Sequence, residues 1–419
     1  MKVLVRFGEL MLKGKNKKLF INKLVHHTKN KFKNLEVSFD LRHDQFFLEF
    51  DEKLELEVIK RLKEIPGIHS FSVVYTTTKD LEDIKELALS VLKKELDNNK
   101  KYSFKIESKR ADKNYYLTSQ EFTKEIAPMI LKETNNLVVD VKNPEVILNI
   151  NIRLDQVFMY LSSIKGMGGF PATIAGKGLL MMSGGIDSPV AAALAIKQGI
   201  LVELIHFEST PLTPLESINK VSDLAGKLAK FLPNGKIRLH VVPFFKIHEA
   251  ILNNISDSYV ITIMRRIMYK IAETYANNHD IDVLVNGESV GQVASQTLSS
   301  MKVVENVTNI PIIRPLATYD KSDVIDIAKK IDTYNISVRP FNDCCSIYVP
   351  KSPIINPTIK RALQEELRFD FEPLIQNAID NIMSFYVHEE EKIDFSMYGF
   401  SFTESFNNWR EKWLFLKII

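Results

Sequence analysis

The sequence predicts an α/β protein in which a doubly wound parallel sheet follows smaller α+β modules. Three observations carry this prediction. After residue 178, apolar runs typical of buried strands alternate with stretches typical of helices, and such alternation indicates parallel strands with helices on both faces. Before residue 166, strands with alternating apolar residues lie beside capped helices. Between these parts, residues 165–178 contain five of the sixteen glycines, which marks a domain boundary.

Length and composition limit the class of protein. A chain of 419 residues with 45% hydrophobic content has room for two or three domains and a sizeable core. No apolar run approaches the roughly 20 residues that cross a bilayer, and the N-terminus lacks an uninterrupted signal-peptide core. We therefore expect a cytoplasmic protein with no membrane partner. The only two cysteines are adjacent, so no disulfide framework is expected.

The first 50 residues predict a small, basic α/β unit. Alternating apolar residues at 3–7 predict a strand, a basic helix extends to Asn30, and a second strand covers residues 45–50. This segment contains eleven Lys and Arg against five Asp and Glu, and its lysines between residues 13 and 33 suit a face that contacts phosphates. An ordinary solvated helix surface explains the charge equally well.

The following segment predicts an α+β module. Asp80 is a good helix N-cap, and Thr118 with Glu121 forms the capping box of another helix. Residues 102–106 and 148–152 alternate between apolar and polar side chains, as half-buried strands do.

The second half predicts one edge at which ligands bind. We expect strands at residues 179–182, 201–207, 237–242 and 283–285, and a long helix at 258–277. Ligands of parallel sheets bind at the carboxyl ends of the strands. This rule places the turn after residue 182, the pair His206-Phe207 and Gly287 along the same edge.

The turn Ser183-Gly184-Gly185-Ile186-Asp187-Ser188 is the feature around which the second half is organised. Ser188 suits the N-cap of the next helix, and Pro189 suits its first turn. Adjacent glycines let the backbone aim N–H groups at an anion, and a helix N-terminus adds positive potential. The turn therefore predicts a phosphate-binding site. It lacks the Gly-Lys-Ser/Thr ending of a Walker loop. A plain polar turn is the alternative.

Two motifs carry a family resemblance. The turn resembles the S-G-G-x-D-S loop of ATP pyrophosphatases, and residues 105–119, with Lys109-Arg110 and Tyr115-Tyr116, resemble a THUMP RNA-binding domain. Basic residues beside aromatic ones suit phosphate contact and base stacking, although both tyrosines fit a core equally well. Together these motifs resemble the 4-thiouridine synthetase (ThiI) family. The distinctive stretches are RFGELMLKGKN at 6–16, ITIMRR at 261–266, GESVGQVASQ at 287–296, RPL at 314–316 and DK at 320–321.

The resemblance implies a domain order and a reaction. The implied parts are a ferredoxin-like domain at 1–58, a THUMP domain at 59–165 and a PP-loop ATP pyrophosphatase domain at 179–395. The residues themselves add a glycine-rich linker at 166–178 and an aromatic tail at 396–419. The tail holds both tryptophans and is expected to pack as a helix. The implied reaction is ATP-dependent replacement of O4 by sulfur in the uridine at position 8 of tRNA, after adenylation of that oxygen.

The resemblance also implies residue roles. Backbone N–H groups of the turn would cradle the β and γ phosphates of ATP, and Asp187 would hold Mg²⁺ or order the turn. Arg265 and Lys321 would neutralise charge on the leaving pyrophosphate. Gly287 would allow close approach to the nucleotide. If His206 does not contact the nucleotide, we expect it to be a packing residue, because no second His or Cys lies at the spacing of zinc ligands from it. The nucleotide set is Met181, Met182, Ser183, Gly184, Gly185, Asp187, Ser188, His206, Phe207, Arg265, Gly287 and Gln296; the catalytic set is Asp187, Lys321, Cys344 and Cys345.

The adjacent cysteines match the family's cysteine position. In that family a cysteine desulfurase delivers sulfur as a persulfide, which attacks C4 and expels AMP. Longer members carry another cysteine in a C-terminal rhodanese domain, whereas no cysteine follows residue 353 here. Cys344 or Cys345 must then accept the sulfur, or a separate protein must bring it, and Cys344 is the predicted carrier. A role as small buried hydrophobes is the structural alternative.

Three functions stay open on the sequence alone. The first is tRNA thiolation, with tRNA and a cysteine desulfurase as partners. The second is adenylation of another base, or sulfur supply for thiamine synthesis through a sulfur-carrier protein. The third is a THUMP RNA-binding protein with a vestigial nucleotide site, against which the intact turn with Lys321 and Cys344 argues. The oligomeric state is open, and a homodimer is one alternative.

Overall fold

The computed structural model describes residues 1–42, 46–161, 163–341, 353–389 and 391–398. By its internal contacts the chain divides into two units, Met1–Gly169 and Phe170–Ile419. This division lies in the glycine-rich stretch that the sequence marks as a boundary. Each unit is built around a sheet of its own. The predicted residue limits of the individual domains stay predictions.

The first unit consists of a mixed sheet and the helices packed on it. Its strands are β1 (Lys2–Arg6), β2 (Val37–Leu41), β3 (Phe46–Phe50), β4 (Ser70–Thr77), β5 (Tyr102–Arg110), β6 (Leu137–Val139), β7 (Val146–Ile152), β8 (Val157–Tyr160) and β9 (Ile164–Lys165). Its helices are α1 (Lys17–Lys31), α2 (Glu55–Lys63), α3 (Leu81–Glu95) and α4 (Ser119–Glu133). The strand order is β2-β3-β1-β4-β8-β7-β5-β6, and β9 pairs with β4.

One strand is shared between the two halves of this sheet. Residues 70–74 of β4 pair antiparallel with β1, and residues 75–77 pair antiparallel with β8. The sheet therefore continues without a break from the N-terminal strands to the later ones.

Local capping positions the helices of the first unit as the sequence predicts. The Asp80 carboxylate accepts a hydrogen bond from the Glu82 N–H at 2.9 Å, at the start of α3. At the start of α4, the Glu121 N–H donates to Thr118 Oγ1 at 3.3 Å and the Thr118 N–H donates to the Glu121 carboxylate at 2.8 Å. Both caps are confirmed, and each satisfies backbone N–H groups that have no partner within the helix.

The second unit is built on a mostly parallel sheet. Its strands are β10 (Lys177–Met181), β11 (Leu201–Glu208), β12 (Lys236–Pro243), β13 (Val283–Val285), β14 (Ile312–Ile313) and β15 (Met383–His388). Its helices are α5 (Asp187–Lys197), α6 (Leu215–Ala229), α7 (Phe245–Asn254), α8 (Val260–Asn278), α9 (Leu298–Glu305), α10 (Lys321–Lys330), α11 (Tyr334–Ser337), α12 (Ile359–Glu366) and α13 (Glu372–Asp380). The order is β14-β13-β10-β11-β12-β15, parallel except for β15 at the edge.

The strand order reverses at β10, and this reversal creates a crevice at one edge of the sheet. β11 and β12 lie on one side of β10, whereas β13 and β14 lie on the other. In open α/β sheets a crevice forms at such a point, outside the carboxyl ends of the strands. The turn at residues 183–188 follows β10 and Gly287 follows β13, so both lie at this crevice.

Helix α8 anchors the core of the second unit. Its residues Ile263, Ile267 and Ile271 are almost fully buried, and they belong to a cluster that includes residues of the sheet and of α7 and α13. Arg266 on the same helix is 1% exposed, and its Nε lies 2.7 Å from a Glu366 carboxylate oxygen. Within the described ranges, no helix combines the length and apolar composition needed to span a bilayer.

Candidate active site

A cavity of about 360 Å³ lies at the carboxyl ends of β10, β11 and β13. It is lined by residues from the turn after β10, from the strand ends, from α8 and from the segment before α9. Ten of the residues predicted for the nucleotide line it: Met181, Met182, Ser183, Asp187, Ser188, His206, Phe207, Arg265, Gly287 and Gln296. The other two, Gly184 and Gly185, belong to the same turn.

Two serines close the turn on itself, and they correct one prediction. The Ser183 N–H donates to Ser188 Oγ at 3.0 Å, and the Ser188 hydroxyl donates to the Ser183 carbonyl oxygen at 3.0 Å. The Gly185 N–H donates to Ser183 Oγ at 3.3 Å. The prediction that Ser188 is the helix N-cap is therefore wrong. Helix α5 already begins at Asp187, with Ile186 as its N-cap, because the Ser188 hydroxyl closes the turn instead.

Gly287 brings the segment after β13 against the start of α5. A Cβ atom at this position would lie 2.8 Å from both the Asp187 carbonyl carbon and the Ser188 nitrogen. Backbone atoms cannot move aside as a flexible side chain can, so any larger residue would push the two segments apart. In the structure, Gly287 therefore allows a close approach to the turn itself. This contact holds the turn in one position beside the cavity.

Asp187 is held by two residues that are distant in the sequence. Its Oδ1 lies 2.5 Å from Lys321 Nζ, and its Oδ2 accepts a hydrogen bond from Gln292 Nε2 at 3.0 Å. Lys321 is the first residue of α10, and its side chain is partly exposed. A cation therefore lies beside the N-terminus of α5, where the helix dipole also favours an anion. Gln292 was not predicted as a site residue, although it lies in one of the stretches that carry the family resemblance.

His206 is a buried residue that supports the start of the turn. Its Nδ1–H donates to the Met182 carbonyl oxygen at 2.9 Å, because a carbonyl oxygen can only accept. Two residues later, burial raises the pKa of the Glu208 carboxyl, which accepts a hydrogen bond from the Thr210 N–H. The end of β11 is thus fixed by buried polar contacts.

A buried ion-pair network lies beside the cavity. Glu288 is 6% exposed and forms ion pairs with Arg265 and with Arg314, whose Nε lies 2.8 Å from Glu288 Oε2. The Asn286 amide donates to Glu288 Oε2 at 2.7 Å and also to the Tyr269 hydroxyl. A buried carboxylate needs such partners, because an unpaired charge in the interior is strongly destabilising.

This network bears on the predicted role of Arg265. Its guanidinium pairs with Glu288 and donates to the Ser295 carbonyl oxygen at 2.6 Å, so its charge is already partly compensated by the protein. Neutralisation of pyrophosphate by Arg265 stays a prediction. Asn286, Glu288 and Tyr269 were not predicted as site residues, although the first two flank Gly287 in the sequence.

The residues present fit a nucleoside triphosphate. The turn, the N-terminus of α5 and Lys321 supply N–H groups and positive potential for phosphates. Phe207, Ile261 and Met268 supply apolar surface along the same cavity. Across the described part of the chain, no group of three or more His, Cys, Asp or Glu side chains is placed to hold a metal ion. Asp187 alone suits Mg²⁺ that is held mainly by substrate phosphates, as in other nucleotide sites.

The remaining predicted residues divide into two groups. Cys344, Cys345 and the aromatic tail from residue 399 onward lie outside the described residues. In the first unit, the rings of the paired tyrosines are in contact, with centroids 4.8 Å apart, but the two residues differ in burial. Tyr115 is buried and packs edge-on against Phe122, with ring centroids 6.1 Å apart. Tyr116 is 68% exposed and is available for stacking on a base.

Three family models match separate parts of the chain. Residues 173–371 match a family model described as "Thiamine biosynthesis protein (ThiI)". Residues 2–72 match a ThiI ferredoxin-like domain, and residues 78–162 match a THUMP domain. The predicted fold class of ferredoxin-like, THUMP and PP-loop parts is therefore confirmed.

Whole-chain relatives extend the match. A protein of Acholeplasma laidlawii named "Probable tRNA sulfurtransferase" is 52% identical over 98% of this chain and 99% of its own. A protein of the same name from Staphylococcus saprophyticus is 41% identical over 91% of this chain and 93% of its own. A solved 4-thiouridine synthetase in complex with RNA and bound ATP is 32% identical, with a TM-score of 0.83 over 92% of this chain and 99% of that one. These relatives show that the chain belongs to the ThiI family of tRNA sulfurtransferases.

Proposed function

We propose that this enzyme catalyses the ATP-dependent transfer of sulfur to the uridine at position 8 of tRNA, which gives 4-thiouridine. The observation that carries the proposal is the turn at residues 183–188, which is closed by its own serines at the N-terminus of α5 and has Lys321 beside Asp187. A relative that aligns over most of the chain is a 4-thiouridine synthetase with RNA and ATP bound, which supports the same substrates here. We place the reaction in the cytoplasm.

The first step is adenylation of the uridine. O4 attacks the α-phosphorus of ATP, a bond from oxygen to phosphorus forms, and the bond from the α-phosphorus to the bridging oxygen breaks as pyrophosphate leaves. The N3 proton of the uridine is released to solvent. N–H groups of the turn and the Lys321 ammonium oppose the negative charge that grows on the leaving pyrophosphate. Mg²⁺ held by Asp187 and the phosphates would add neutralising charge.

The second step is sulfur transfer. The terminal sulfur of a cysteine persulfide attacks C4, the bond from C4 to oxygen breaks, and AMP leaves. The other thiolate then attacks the carrier sulfur of the mixed disulfide, which releases 4-thiouridine and leaves a disulfide between the two cysteines. A dithiol reductant supplies the two electrons that restore the thiols. We assign Cys344 as carrier and Cys345 as resolving thiol, with a cysteine desulfurase as persulfide donor.

A second role in thiamine synthesis is supported by the description of the family model that matches residues 173–371. In that role the acceptor of the sulfur would be a sulfur-carrier protein. An RNA-binding protein with a vestigial site is less well supported, because the closed turn, the Gly287 contact and the Asp187–Lys321 pair are all intact.

Nucleoside mass spectrometry tests the main proposal. Unmodified tRNA is incubated with the protein, cysteine, a cysteine desulfurase and a reductant, with or without ATP and Mg²⁺. We expect 4-thiouridine at position 8 only when ATP is present. If complete mixtures leave position 8 unmodified, the proposal is wrong.

The variant Asp187→Ala tests the role of the turn. It removes the carboxylate that holds Lys321, so we expect ATP-dependent pyrophosphate release to be abolished. Binding of tRNA should be nearly unchanged, because we assign it to the first unit. Asp326→Ala, at an exposed position of α10, is the matched control and should retain both properties. Pyrophosphate release at the wild-type rate in Asp187→Ala would contradict the assignment.

A further inference from the structure

Glu288 places a negative charge in the wall of the cavity that we assign to ATP. The residue lines this cavity and is almost fully buried. Charges interact more strongly where water is excluded, so an unbalanced carboxylate at this position would repel a triphosphate. The cavity can therefore bind ATP well only if the charge of Glu288 is compensated.

Two arginines from different elements share the Glu288 carboxylate. Arg265 lies on α8, lines the cavity and pairs with Oε1. Arg314 directly follows β14, and its Nε lies 2.8 Å from Oε2. Arg314 also pairs with Glu305 at the end of α9, and both residues line a separate groove. Each oxygen of the carboxylate thus has an arginine of its own, one at the cavity and one behind it.

This division of the carboxylate leaves Arg265 able to serve a ligand. A guanidinium has five N–H groups, and the contacts of Arg265 with Glu288 and with the Ser295 carbonyl oxygen use part of them. Two positive charges against one negative charge leave a net positive charge at the cavity wall. Without Arg314, no cation would compete with Arg265 for the second oxygen. A guanidinium readily binds both oxygens of a carboxylate, and the remaining pair would then be neutral.

We propose that Arg314 is a positioning residue for ATP binding, which acts through Glu288 on Arg265. It occupies one oxygen of Glu288, so that Arg265 keeps a positive charge and free N–H groups for the phosphates. The proposal rests on the proposed function and adds a residue that is not part of the cavity lining. Loss of Arg314 should therefore weaken the binding of phosphates and spare the binding of the nucleoside.

Titration calorimetry with ATP and with adenosine tests this role in the full-length protein. Arg314→Met keeps an extended apolar side chain and removes the charge. We expect the Kd for ATP to rise about tenfold, a coupling usual within one ion-pair network, and the Kd for adenosine to stay within about twofold. A distorted cavity would weaken the binding of both ligands, whereas a lost positive charge weakens that of ATP alone.

A second buried carboxylate supplies the matched control. Glu365 is almost fully buried and pairs with Arg361 and Arg368, as Glu288 pairs with its two arginines. Neither Glu365 nor its partners belong to the cavity lining. Arg361→Met thus removes one arginine from a similar set of three charges, and it should leave the affinity for both ligands unchanged.

Further variants show whether the effect passes through Arg265. In an Arg265→Met protein, the additional change Arg314→Met should weaken ATP binding no further. Arg314→Met combined with Glu288→Gln removes both charges and should recover most of the affinity for ATP. If Arg314→Met does not fold, Arg314→Gln decides, because its amide can still donate to Glu288 while the charge is lost; the Kd for ATP must then rise and that for adenosine must not.

Four results would overturn the proposal. They are equal losses of affinity for ATP and adenosine, unchanged ATP affinity in Arg314→Met, a full further loss in the Arg265→Met background, and no recovery in the variant that also carries Glu288→Gln. A wild-type protein that does not bind ATP would overturn it as well. If the wild-type protein binds ATP but forms no 4-thiouridine, the proposed function is wrong, and the binding data still decide the role of Arg314.

Discussion

Gly287 packs directly against the backbone of Asp187, with no space for a Cβ atom between them. The substitution Gly287→Ala is therefore expected to displace the turn and to weaken ATP binding by roughly ten- to a hundredfold, because overpacking of this kind costs about 1–3 kcal/mol. Titration calorimetry with ATP measures the effect. Val290→Ala, at a half-exposed position nearby, is the control and should bind ATP normally. Normal affinity in Gly287→Ala would show that the turn tolerates displacement.

The cysteine pair should separate the two chemical steps. We expect Cys344→Ser to accumulate adenylated tRNA without 4-thiouridine, because adenylation does not need the thiol. Cys345→Ser should slow turnover or raise the demand for reductant. Mass spectrometry of the tRNA distinguishes the species. If only Cys345→Ser loses thiolation, the two roles are reversed; if both single variants and the double variant stay active, neither thiol carries the sulfur.

Binding of tRNA should depend strongly on salt and little on sequence. Lys15, Lys18, Lys29 and Lys33 are exposed on or beside α1, and each phosphate contact that is lost should reduce the slope of log affinity against log salt by about one. We expect Lys15→Glu with Lys18→Glu to weaken binding of all tRNAs alike in filter-binding assays. The double variant Lys329→Glu with Lys330→Glu, in the second unit, changes the net charge by the same amount and is the control for net charge. An unchanged slope in the variant Lys15→Glu with Lys18→Glu would show that tRNA contacts another surface of the protein.

The stability of the second unit should decrease on acidification because of His248. Burial lowers the pKa of His248 from 6.5 to about 4, and neither ring nitrogen has a hydrogen-bond partner among the described residues. The unfolded chain therefore binds the proton more readily than the folded one. The contribution of this histidine to stability is present above pH 6.5 and is lost as the pH falls toward 4, by at most about 1.4 kcal/mol per pH unit.

Denaturant unfolding at pH 7.5 and at pH 5.5 tests this dependence. His248→Leu removes the titrating group, so the difference in the free energy of unfolding between the two pH values should shrink. His27 in the first unit is shifted in the same way, also to about 4, so part of the pH dependence should remain. An unchanged difference in His248→Leu would contradict the prediction.

Features set by neighbours in the chain could be predicted from the sequence. The caps at Asp80 and Thr118 depend on backbone groups two or three residues away. A glycine after a helical stretch indicates a helix end, and Gly199 follows α5 with a φ of +87°, a conformation that only glycine adopts without strain. The strand predicted at residues 283–285 coincides with β13. The closeness of the turn and Gly287 followed from the rule for parallel sheets.

Features set by distant residues could not be predicted in the same way. Ser188 has the composition of an N-cap, but its hydroxyl is used by Ser183 once the turn closes. The Asn286 amide donates to the Tyr269 hydroxyl only because α8 packs beside β13. The spacing of apolar residues in the sequence does not indicate such a contact. Strand β15 pairs antiparallel with β12 across a long stretch of intervening chain, so its partner could not be read from the sequence pattern.

The shared strand β4 makes the first unit a single cooperative structure. Because one end of β4 pairs with β1 and the other with β8, a fragment that kept only the ferredoxin-like strands or only the THUMP strands would leave part of β4 with bare N–H and C=O groups. Such edges recruit strands from other chains and promote aggregation. We therefore expect the two named modules to unfold together, so that a surface which contacts RNA on one of them would be lost when the other melts.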